Sequence, residues 1–401
     1  MPRRPIPPTL LLIVCLLGPA LVVAEPPRAL PIDGEPFFAE LARVSADGKI
    51  VFTTDGEQRE LSLDELVVWG APRDVSAGPQ VLLADGGLLV ADVLGTADDR
   101  LRLDSLTFGE VALPLDRVAG ILFRPPAERQ RRDRLHDRLR DGKPGVDRLL
   151  LENGDELAGT ILGISDTAVS FDTAPAEIKV TLDKIIAIAF DPELISRARL
   201  NSPGEIVGLG DGSRIVAAGL QYGDDQTRLE LTDGTTWSVS SVDARAAAKV
   251  VSLQPIGAGV TYLSDLPVAG YVHVPFFQLE WPYRLDRNVA GTRLRAGGAV
   301  YDKGIGMHST SRLTFRLDRP YRRFQAELAV DDLTDGRGSV VFRVFSGREQ
   351  VYESPVVRGG DPPLAMSVDV GDTRLLSLIV DYADRGDELD RANWLNARLI
   401  E

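Results

Sequence analysis

The chain has 401 residues, a formal net charge of −14, 44% hydrophobic residues and 26% charged residues. This balance is typical of globular protein, and the length predicts about two to four domains. Because nucleic acids repel an acidic protein that lacks a basic patch, the charge argues against a nucleic-acid partner. The basic run from Arg129 to Arg140 is interleaved with aspartates, so it does not supply such a patch.

Residues 1–24 have the layout of a secretory signal peptide. Arg3 and Arg4 precede the apolar run Leu10–Leu17, and small residues stand just before Glu25. This pattern predicts export to the periplasm, the cell envelope or the outside, with no membrane span after cleavage; an uncleaved N-terminal anchor is the alternative. The only cysteine, Cys15, lies in this segment, so the mature chain would have no thiol and no disulfide.

A Pro-rich stretch, residues 25–36, is predicted to be a linker, and a repeated pattern of short strands follows it. Residues 80–124 and 147–192 share an apolar strand, an Asp-Gly or Asn-Gly turn, and a Leu-Asp-Arg-Val or Leu-Asp-Lys-Ile sequence. A weaker copy covers residues 204–254, and a partial copy covers residues 37–72. Each copy has room for about five short strands and resembles a small β-barrel of the SH3 or Sm type. We interpret the repeats as scaffolding, with a protein- or peptide-binding platform as the alternative.

Residues 125–145 are predicted to contain a short, highly charged helix. Pro125 can begin it, Gly142 can end it, and Leu135 and Leu139 share one face. Aspartates stand beside arginines at spacings that permit ion pairs along the helix. The pattern therefore predicts a solvated helix that packs on a neighbouring barrel, with His136 exposed.

From residue 258 to the end the pattern changes to longer alternating strands with more aromatic residues. Between Tyr301 and Ser346, apolar and polar residues alternate in runs that begin near Leu313, Phe324 and Val340. This period of two is the signature of half-buried strands. The region is therefore predicted to be one domain, an antiparallel sandwich or jelly roll.

Six motifs of this region occur in the same order in a known domain family. They are Lys303–Ser309, Phe324–Asp332, Gly338–Phe345, Val357–Asp361, Leu378–Asp381 and Asp390–Leu399. With these motifs, residues 258–401 resemble the NPCBM domain, a carbohydrate-binding module of secreted glycosidases and other exported bacterial proteins. The resemblance implies a galactose-binding-like jelly-roll β-sandwich, recognition of terminal sugars and a structural calcium ion. The predicted fold class is therefore all-β, with tandem small β-barrel-like repeats followed by that jelly roll.

One position departs from the usual family pattern. The family usually has an aspartate before a tryptophan near the end of the domain, whereas this chain has Asn393 before Trp394. If that carboxylate contacts a metal or a sugar, the neutral amide predicts weaker binding or none.

Sugar recognition requires a flat aromatic face for stacking and planar polar groups that bind hydroxyls. Trp281, beside Pro282 in a loop-like segment, is the favoured platform, whereas the apolar neighbours of Trp394 favour packing in the core. The candidate sugar-binding residues are Trp281, Tyr301, His308, Arg358, Asn393 and Trp394.

Calcium requires several oxygen ligands that are gathered from a turn. Asp384, Asp387 and Asp390 lie at usable spacings around a glycine, and Asp331 with Asp332 forms a second candidate. Either group can equally be a solvated acidic loop, and neither matches an EF-hand.

The sequence contains no nucleophile elbow, zinc-protease motif or phosphate-binding loop, and its three histidines lie far apart. We therefore predict an exported, non-catalytic carbohydrate-binding protein, in which the repeats are spacers or docking units for other envelope proteins. One alternative is a structural or protein-interaction protein of the envelope without a sugar site. Another is an accessory part of a glycoside hydrolase system.

Overall fold

The computed structural model describes residues 26–174, 176–196, 203–223, 226–240, 249–257, 259–276 and 278–401. The predicted signal peptide, residues 1–24, lies outside these ranges. The described residues are mostly strands joined by turns, which confirms the predicted all-β class. Within these ranges, no helix has the length and apolar character that a membrane crossing requires.

The strands between Arg28 and Ile256 follow the four sequence copies. The first copy contains β1 (Arg28–Pro31), β2 (Phe37–Phe38), β3 (Glu40–Val44), β4 (Lys49–Thr54), β5 (Glu57–Ser62) and β6 (Leu66–Gly70). The second contains β7 (Gln80–Leu83), β8 (Leu88–Ala97), β9 (Arg100–Ser105), β10 (Gly109–Pro114) and β11 (Val118–Leu122). The third contains β12 (Asp147–Leu151), β13 (Glu156–Ile164), β14 (Ala168–Asp172), β15 (Glu177–Thr181) and β16 (Ile185–Ala189). The fourth contains β17 (Gly204–Leu209), β18 (Arg214–Gly223), β19 (Gln226–Leu231), β20 (Thr236–Ser240) and β21 (Val250–Ile256).

The repeated Leu-Asp motif has a local structural role. In the first three copies it forms a single 3-10 turn directly before the last strand, at Leu63–Glu65, Leu115–Arg117 and Leu182–Lys184. The turn reverses the chain so that the strand after it can pair with the first strand of its own copy, as β11 does with β7. The sequence repeat is thus a repeat of one supersecondary unit.

The four copies are joined by strand pairing and by a shared core. β6 pairs with β21 through Trp69 and Leu253, and β11 pairs with β16 through Ile121 and Ile188. One cluster of buried apolar side chains extends from Ala29 to Leu253 and contains residues of every copy. The four copies therefore form one packed unit, because each copy buries apolar side chains against its neighbours.

The structure differs from the predicted linker at residues 25–36. Residues 28–31 form β1, which pairs with β2 and β6, and Ala29 and Leu30 are buried. The prediction followed the prolines, but one of them, Pro31, lies at the end of the strand, a position where the missing N–H is tolerated.

The helix predicted within residues 125–145 is α1 (Arg129–Arg140), which packs on a neighbouring barrel as predicted; one arginine-rich face is exposed, but the other faces are buried. Leu139 packs on the outer face of β11, where the absent side chain of Gly120 makes room for it. On another face, Arg132, Asp133 and His136 are at most 9% exposed. The prediction of an exposed His136 was wrong because its ring is buried against Gln80 of β7, while Arg295 of the C-terminal domain covers Asp133 on the same face.

The C-terminal domain is a sandwich of two antiparallel sheets. Its strands are β22 (Val260–Tyr262), β23 (Val268–His273), β24 (Arg284–Leu285), β25 (Leu294–Ala296), β26 (Ala299–Tyr301), β27 (Gly304–His308), β28 (Ser311–Arg316), β29 (Arg323–Val330), β30 (Ser339–Ser346), β31 (Glu349–Glu353), β32 (Val357–Arg358), β33 (Leu364–Asp369), β34 (Leu375–Tyr382) and β35 (Arg391–Ile400). One sheet has the order β24-β27-β35-β29-β33, with β22 also on β35, and the other has the order β23-β28-β34-β30-β31, with β32 also on β30.

The two sheets enclose an aromatic core. Phe324 of one sheet and Phe342 of the other both contact the indole of Trp394, and the ring centroids of Phe342 and Trp394 are 4.9 Å apart at an angle of 87°. All three side chains are fully buried. Edge-to-face contacts of this kind stabilise a core beyond the burial of apolar area.

The sandwich packs on the N-terminal strands through polar side chains. Gln254 of β21 donates to the hydroxyl of Tyr262 at 2.9 Å, and Arg28 of β1 forms an ion pair with Glu327 of β29 at 2.6 Å. Arg295 of β25 reaches α1, where its guanidinium lies 2.7 Å from the Asp133 carboxylate. Arg295 and Asp133 are nearly inaccessible to solvent. The two parts of the chain therefore share a buried polar interface.

Candidate functional site

Three loops meet at one end of the sandwich, which we call the loop end. They are residues 274–276 and 278–283 after β23, residues 309–310 between β27 and β28, and residues 383–390 before β35. The backbone N–H of Phe276 donates to Asp387 at 3.3 Å, and the hydroxyl of Ser309 donates to Asp390 at 2.6 Å. These hydrogen bonds hold the three loops together.

A glycine allows the acidic loop to approach β30 closely. Gly338 has a φ of +85°, and a β-carbon at this position would lie 2.3 Å from the carbonyl oxygen of Leu389. A larger residue would therefore be strained and would also collide with the loop backbone. The glycine lets the N–H of Ser339 donate to Asp390 at 2.9 Å, which fixes the base of the loop end.

Trp281 is held in one orientation by its neighbours. Its ring stacks on the imidazole of His308, with 5.0 Å between centroids and 5° between planes. The backbone N–H of Trp281 donates to Nδ1 of His273 at 3.1 Å, and its backbone carbonyl accepts from the Tyr271 hydroxyl at 2.6 Å. The guanidinium of Arg391 lies 5.9 Å from the indole centroid, within the range of a cation–π contact. The side chain is only half-buried, so part of the indole faces solvent.

The hydrogen bonds assign the tautomers of both histidines. Nδ1 of His273 accepts from the Trp281 backbone, so its Nε2 carries the proton and donates to the Ser309 carbonyl at 3.2 Å. Nδ1 of His308 donates to the same carbonyl at 2.8 Å. Burial lowers the pKa of His308 below its usual value of 6.5. His308 is therefore neutral at pH 7 and presents an uncharged ring to Trp281.

Exposed apolar side chains surround this stack. Phe276 is 59% exposed and Tyr382 is 48% exposed, and their rings make an edge contact with 6.3 Å between centroids. Val274 and Leu279 in the same loop are more than 60% exposed. A group of large exposed apolar side chains of this kind is typical of a binding site.

Arg358 belongs to the same end of the sandwich. Its guanidinium forms a 2.8 Å ion pair with Asp384, and both side chains are more than half exposed. Its backbone N–H donates to Asp361 at 2.8 Å. Arg358 therefore offers planar donors beside an acceptor carboxylate, at the edge of the exposed aromatic rings.

The remaining candidate sugar residues lie elsewhere. Asn393 and Trp394 are 0% exposed, so neither side chain is open to a ligand in this structure. Tyr301 lies on β26 and borders a cleft of about 530 Å³ between the sandwich and the N-terminal strands. The structure thus brings Trp281, His308 and Arg358 to one end and does not place Tyr301, Asn393 or Trp394 there.

The hydrogen bonds around Asn393 account for an amide in place of the carboxylate that the family usually has at this position. Its Nδ2 donates to Asp331 at 2.6 Å, deep between β27, β35 and the segment that precedes β25. Asp331 also accepts from the Asn288 side chain at 3.1 Å and from the backbone N–H of Arg295 at 3.2 Å. A carboxylate in place of the amide would lie against Asp331 without a donor between them.

The candidate calcium ligands each bind protein groups. Asp384 pairs with Arg358, Asp387 accepts from Phe276, and Asp390 accepts from Ser309 and Ser339. Burial raises the pKa of Asp390 to about 6.

Asp331 and Asp332 are likewise engaged. Asp332 accepts from the backbone N–H groups of Gly297 at 3.0 Å and Gly298 at 2.9 Å. Within the described ranges no three His, Cys, Asp or Glu side chains are grouped so that they could hold a metal. These side chains, as placed, do not assemble a calcium site, and calcium stays a prediction from the family resemblance.

Sequence reasoning did not single out Phe276, Tyr382, His273 or Arg391. In β34, Leu376, Leu378 and Val380 point into the core, and the period of two predicts the same for Tyr382. Its ring is exposed because the core ends at that point, which periodicity does not show. The contact of His273 with Trp281 depends on the pairing of β23 with β28, which is also invisible in the sequence.

Comparison with known proteins agrees with this fold. Residues 259–400 match the NPCBM/NEW2 domain family. Alpha-1,3-galactosidase B of Akkermansia muciniphila is 36% identical over 117 residues, which is 28% of this chain and 15% of the galactosidase. This chain therefore corresponds to a small part of that curated relative.

Two solved structures from Clostridium perfringens are also similar. The CBM51-2 and INT domains of ZmpB, in complex with GlcNAc, are 25% identical with a TM-score of 0.33, covering 46% of this chain and 38% of that chain. The CBM51 domain of a GH95 protein, in complex with methyl-galactose, is 23% identical with a TM-score of 0.32, covering 35% of this chain and 99% of that chain. By the family match and the six motifs in order, the C-terminal third of the chain, residues 259–400, is an NPCBM/NEW2 domain, the carbohydrate-binding module predicted from the sequence.

Proposed function

We propose that the NPCBM domain binds a glycan at its loop end, with Trp281, Phe276 and Tyr382 as the contact surface. The observation that carries this proposal is that the exposed rings of Phe276 and Tyr382 and the half-buried Trp281 share one end of the sandwich with the ion pair of Arg358 and Asp384. Sugars present C–H faces that stack on aromatic rings and hydroxyls that need donors and acceptors. The loop end offers both within one surface.

The rigidity of the loop end supports this proposal. The ring of Trp281 stacks on His308, and the backbone of Trp281 is held by hydrogen bonds with His273 and Tyr271. A ring that is already ordered loses little conformational entropy when a ligand binds, which improves affinity. This matters for sugars, because each hydroxyl exchanges one hydrogen bond with water for one with the protein and gains little net free energy.

Galactose-containing glycans are the first ligands to test. The Akkermansia muciniphila relative is named as an alpha-1,3-galactosidase, and the region it shares with this chain lies in the NPCBM domain. We propose that this chain binds such glycans without cleaving them, because its match covers a binding domain and its other strands form a joined scaffold. Export to the envelope or the outside, and calcium in the 384–390 loop, belong to the same proposal.

A glycan array probed with the full chain tests the proposed function. We expect retention of galactose-terminated glycans and loss of that retention in Trp281→Ala. Phe38→Ala is the matched control, because Phe38 is also an exposed aromatic side chain, 49% exposed, but belongs to the N-terminal strands. Absence of binding to every glycan, with and without added calcium, would overturn the proposal. Turnover of a glycoside panel would overturn the non-catalytic part of it.

A further inference from the structure

A small cavity lies where α1, the N-terminal strands and the 287–293 segment of the NPCBM domain meet. Its volume of about 30 Å³ has room for about two water molecules. Six arginines line it: Arg73, Arg132, Arg140, Arg214, Arg287 and Arg293. The aspartates of the lining are fewer, namely Asp74, Asp133 and Asp137. The cavity wall therefore carries an excess of positive charge.

The carboxylates near the cavity are already shared among several arginines. Asp74 pairs with Arg132 at 2.6 Å and also with Arg295 at 2.9 Å. Asp302, just behind the lining, pairs with Arg293 at 3.0 Å and with Arg214 as well. Asp74 also pairs with Arg129 at 3.4 Å, so each of these carboxylates is shared by at least two cations, and internal ion pairs do not balance the charge.

The two aspartates of α1 that line the cavity, Asp133 and Asp137, are also bound by arginines. Asp137 is bound by Arg287 through two nitrogens, at 2.8 and 3.0 Å. Asp133 is bound by Arg295, which does not line the cavity. Asp133 is therefore engaged elsewhere, and Asp137 compensates only part of the charge of Arg140, the arginine that α1 places beside it.

Arg140 is the lining cation with the weakest compensation. Its Nη2 donates to the carbonyl of Gly86 at 3.2 Å, and its buried Nε has no hydrogen-bond partner. Within the described part of the chain it forms no ion pair. Burial and the nearby charge of Arg214 lower the pKa of Arg140 to about 9, so it still carries its charge at pH 7. Burying an N–H of a charged group without a hydrogen-bond acceptor lowers the free energy of unfolding.

The positive charge around the cavity also affects the pKa of His136. It is 9% exposed, and its Nε2 lies 2.7 Å from the side-chain oxygen of Gln80. Burial, followed by the charges of Arg140 and Arg293, lowers its pKa well below 6.5. The ring is therefore neutral at pH 7, and the cavity excludes a further positive charge.

We propose that this cavity binds a small inorganic anion, chloride, which accepts a hydrogen bond from Nε of Arg140. The volume admits an ion slightly larger than water and excludes organic acids. The surrounding arginines come from α1, from β18 and from the NPCBM domain. A bound chloride would therefore hold the helix and the NPCBM domain together by compensating cations from both.

Thermal unfolding of the full chain tests this site. Sodium chloride is titrated in exchange for sodium gluconate at constant ionic strength, because gluconate is too large for the cavity. We expect a saturable rise of the melting temperature by about 2–4 °C. Arg140→Met should abolish the chloride-dependent rise, whereas Arg228→Met, a change at an exposed arginine of β19, should preserve it. A flat titration of the unchanged protein, or a full rise in Arg140→Met, would overturn the proposal.

A crystallographic measurement keeps the proposal testable if Arg140→Met fails to fold. Bromide replaces chloride in anion sites and scatters anomalously, so crystals of the unchanged protein in sodium bromide should show an anomalous peak within hydrogen-bonding distance of Arg140 Nε. Absence of this peak would contradict chloride binding. So would an anion that is seen in the cavity only in crystals grown from sulfate.

Discussion

Trp281 stacks on His308 with 5.0 Å between the ring centroids and 5° between the ring planes. This contact joins a loop to the inner strand β27 and so connects the exposed part of the loop end to the core. Because His308 is neutral and its Nδ1 is bound to the Ser309 carbonyl, the imidazole has a fixed orientation. The stack therefore holds the indole of Trp281 in one orientation at the loop end.

The first prediction concerns this stack. His308→Ala removes the partner that orients Trp281, so glycan binding should weaken about tenfold, by about 1.4 kcal/mol, although His308 itself is buried. His308→Phe keeps a stacking ring and should restore most of the affinity. The measurement is isothermal titration of each full-length variant with the best glycan from the array. Equal affinities in all three proteins would show that the stack has no part in binding.

The second prediction concerns Asn393. Asn393→Asp places a carboxylate against the buried Asp331, whose oxygen now lies 2.6 Å from the amide nitrogen. We expect the free energy of unfolding to fall by about 2–4 kcal/mol at pH 7, and by less near pH 4, where one of the two acids is protonated. Chemical denaturation at both pH values measures this.

Asn396→Asp is a comparison variant for that experiment. Asn396 is also buried on β35, but its amide donates to Glu327 at 3.2 Å, and Arg28 pairs with the same glutamate. The nearby arginine should reduce the cost of the second carboxylate. If Asn393→Asp costs nothing, or if it costs the same at both pH values, the proposed repulsion from Asp331 is wrong.

The third prediction is a pH dependence of stability that originates at Asp390. Burial raises its pKa to about 6 from the ordinary value of 3.8. Because the folded state binds the proton more tightly than the unfolded state, protonation stabilises the fold. This contribution is complete below about pH 4 and is lost as the pH rises through about 6.

Asp390→Asn isolates that contribution. The free energy of unfolding of the unchanged protein, relative to Asp390→Asn, should fall by about 1–2 kcal/mol between pH 4 and pH 6.5 and then stay constant. Urea denaturation over this range measures the difference. A difference that increases with pH would mean that hydrogen bonds from Ser309 and Ser339 outweigh burial at this carboxyl group.

The fourth prediction concerns the ion pair between the two parts of the chain. Arg295→Met leaves Asp133 of α1 buried without its closest cation, and the two groups are now 2.7 Å apart. The loss should be about 3–5 kcal/mol, and unfolding should separate into two transitions. The double variant Arg295→Met with Asp133→Leu should recover much of the stability. If calorimetry shows one unshifted transition for Arg295→Met, the interface does not depend on this pair.

The sequence allowed the prediction of the strands, the repeat, the helix and the NPCBM domain, because each depends on local patterns. Strand alternation around Phe324 and Val340, and the Leu-Asp turns, are set by neighbours in the chain. The shared core of the four copies could not be predicted in this way, because it depends on pairings such as β6 with β21, which join residues far apart.

The site was only partly predictable for a similar reason. Trp281 was predicted as a platform because it stands beside Pro282 in a loop-like segment, and the structure places it in the loop that follows β23. Asn393 is a case where the residue type pointed to a ligand, although its amide completes the shell of a buried aspartate. His136 is buried against Gln80 of β7, and Asp133 is covered by the NPCBM domain; helical periodicity contains no information about either neighbour.

The most direct test of the central claim is the affinity of the full chain for its best array glycan, measured by isothermal titration for four proteins. Unchanged protein and Phe38→Ala should bind equally. Trp281→Ala and Phe276→Ala should each lose at least about tenfold in affinity, with circular dichroism spectra and melting temperatures near those of the unchanged protein. If both loop-end variants retain full affinity, the glycan binds elsewhere on the NPCBM domain and the proposed surface is wrong.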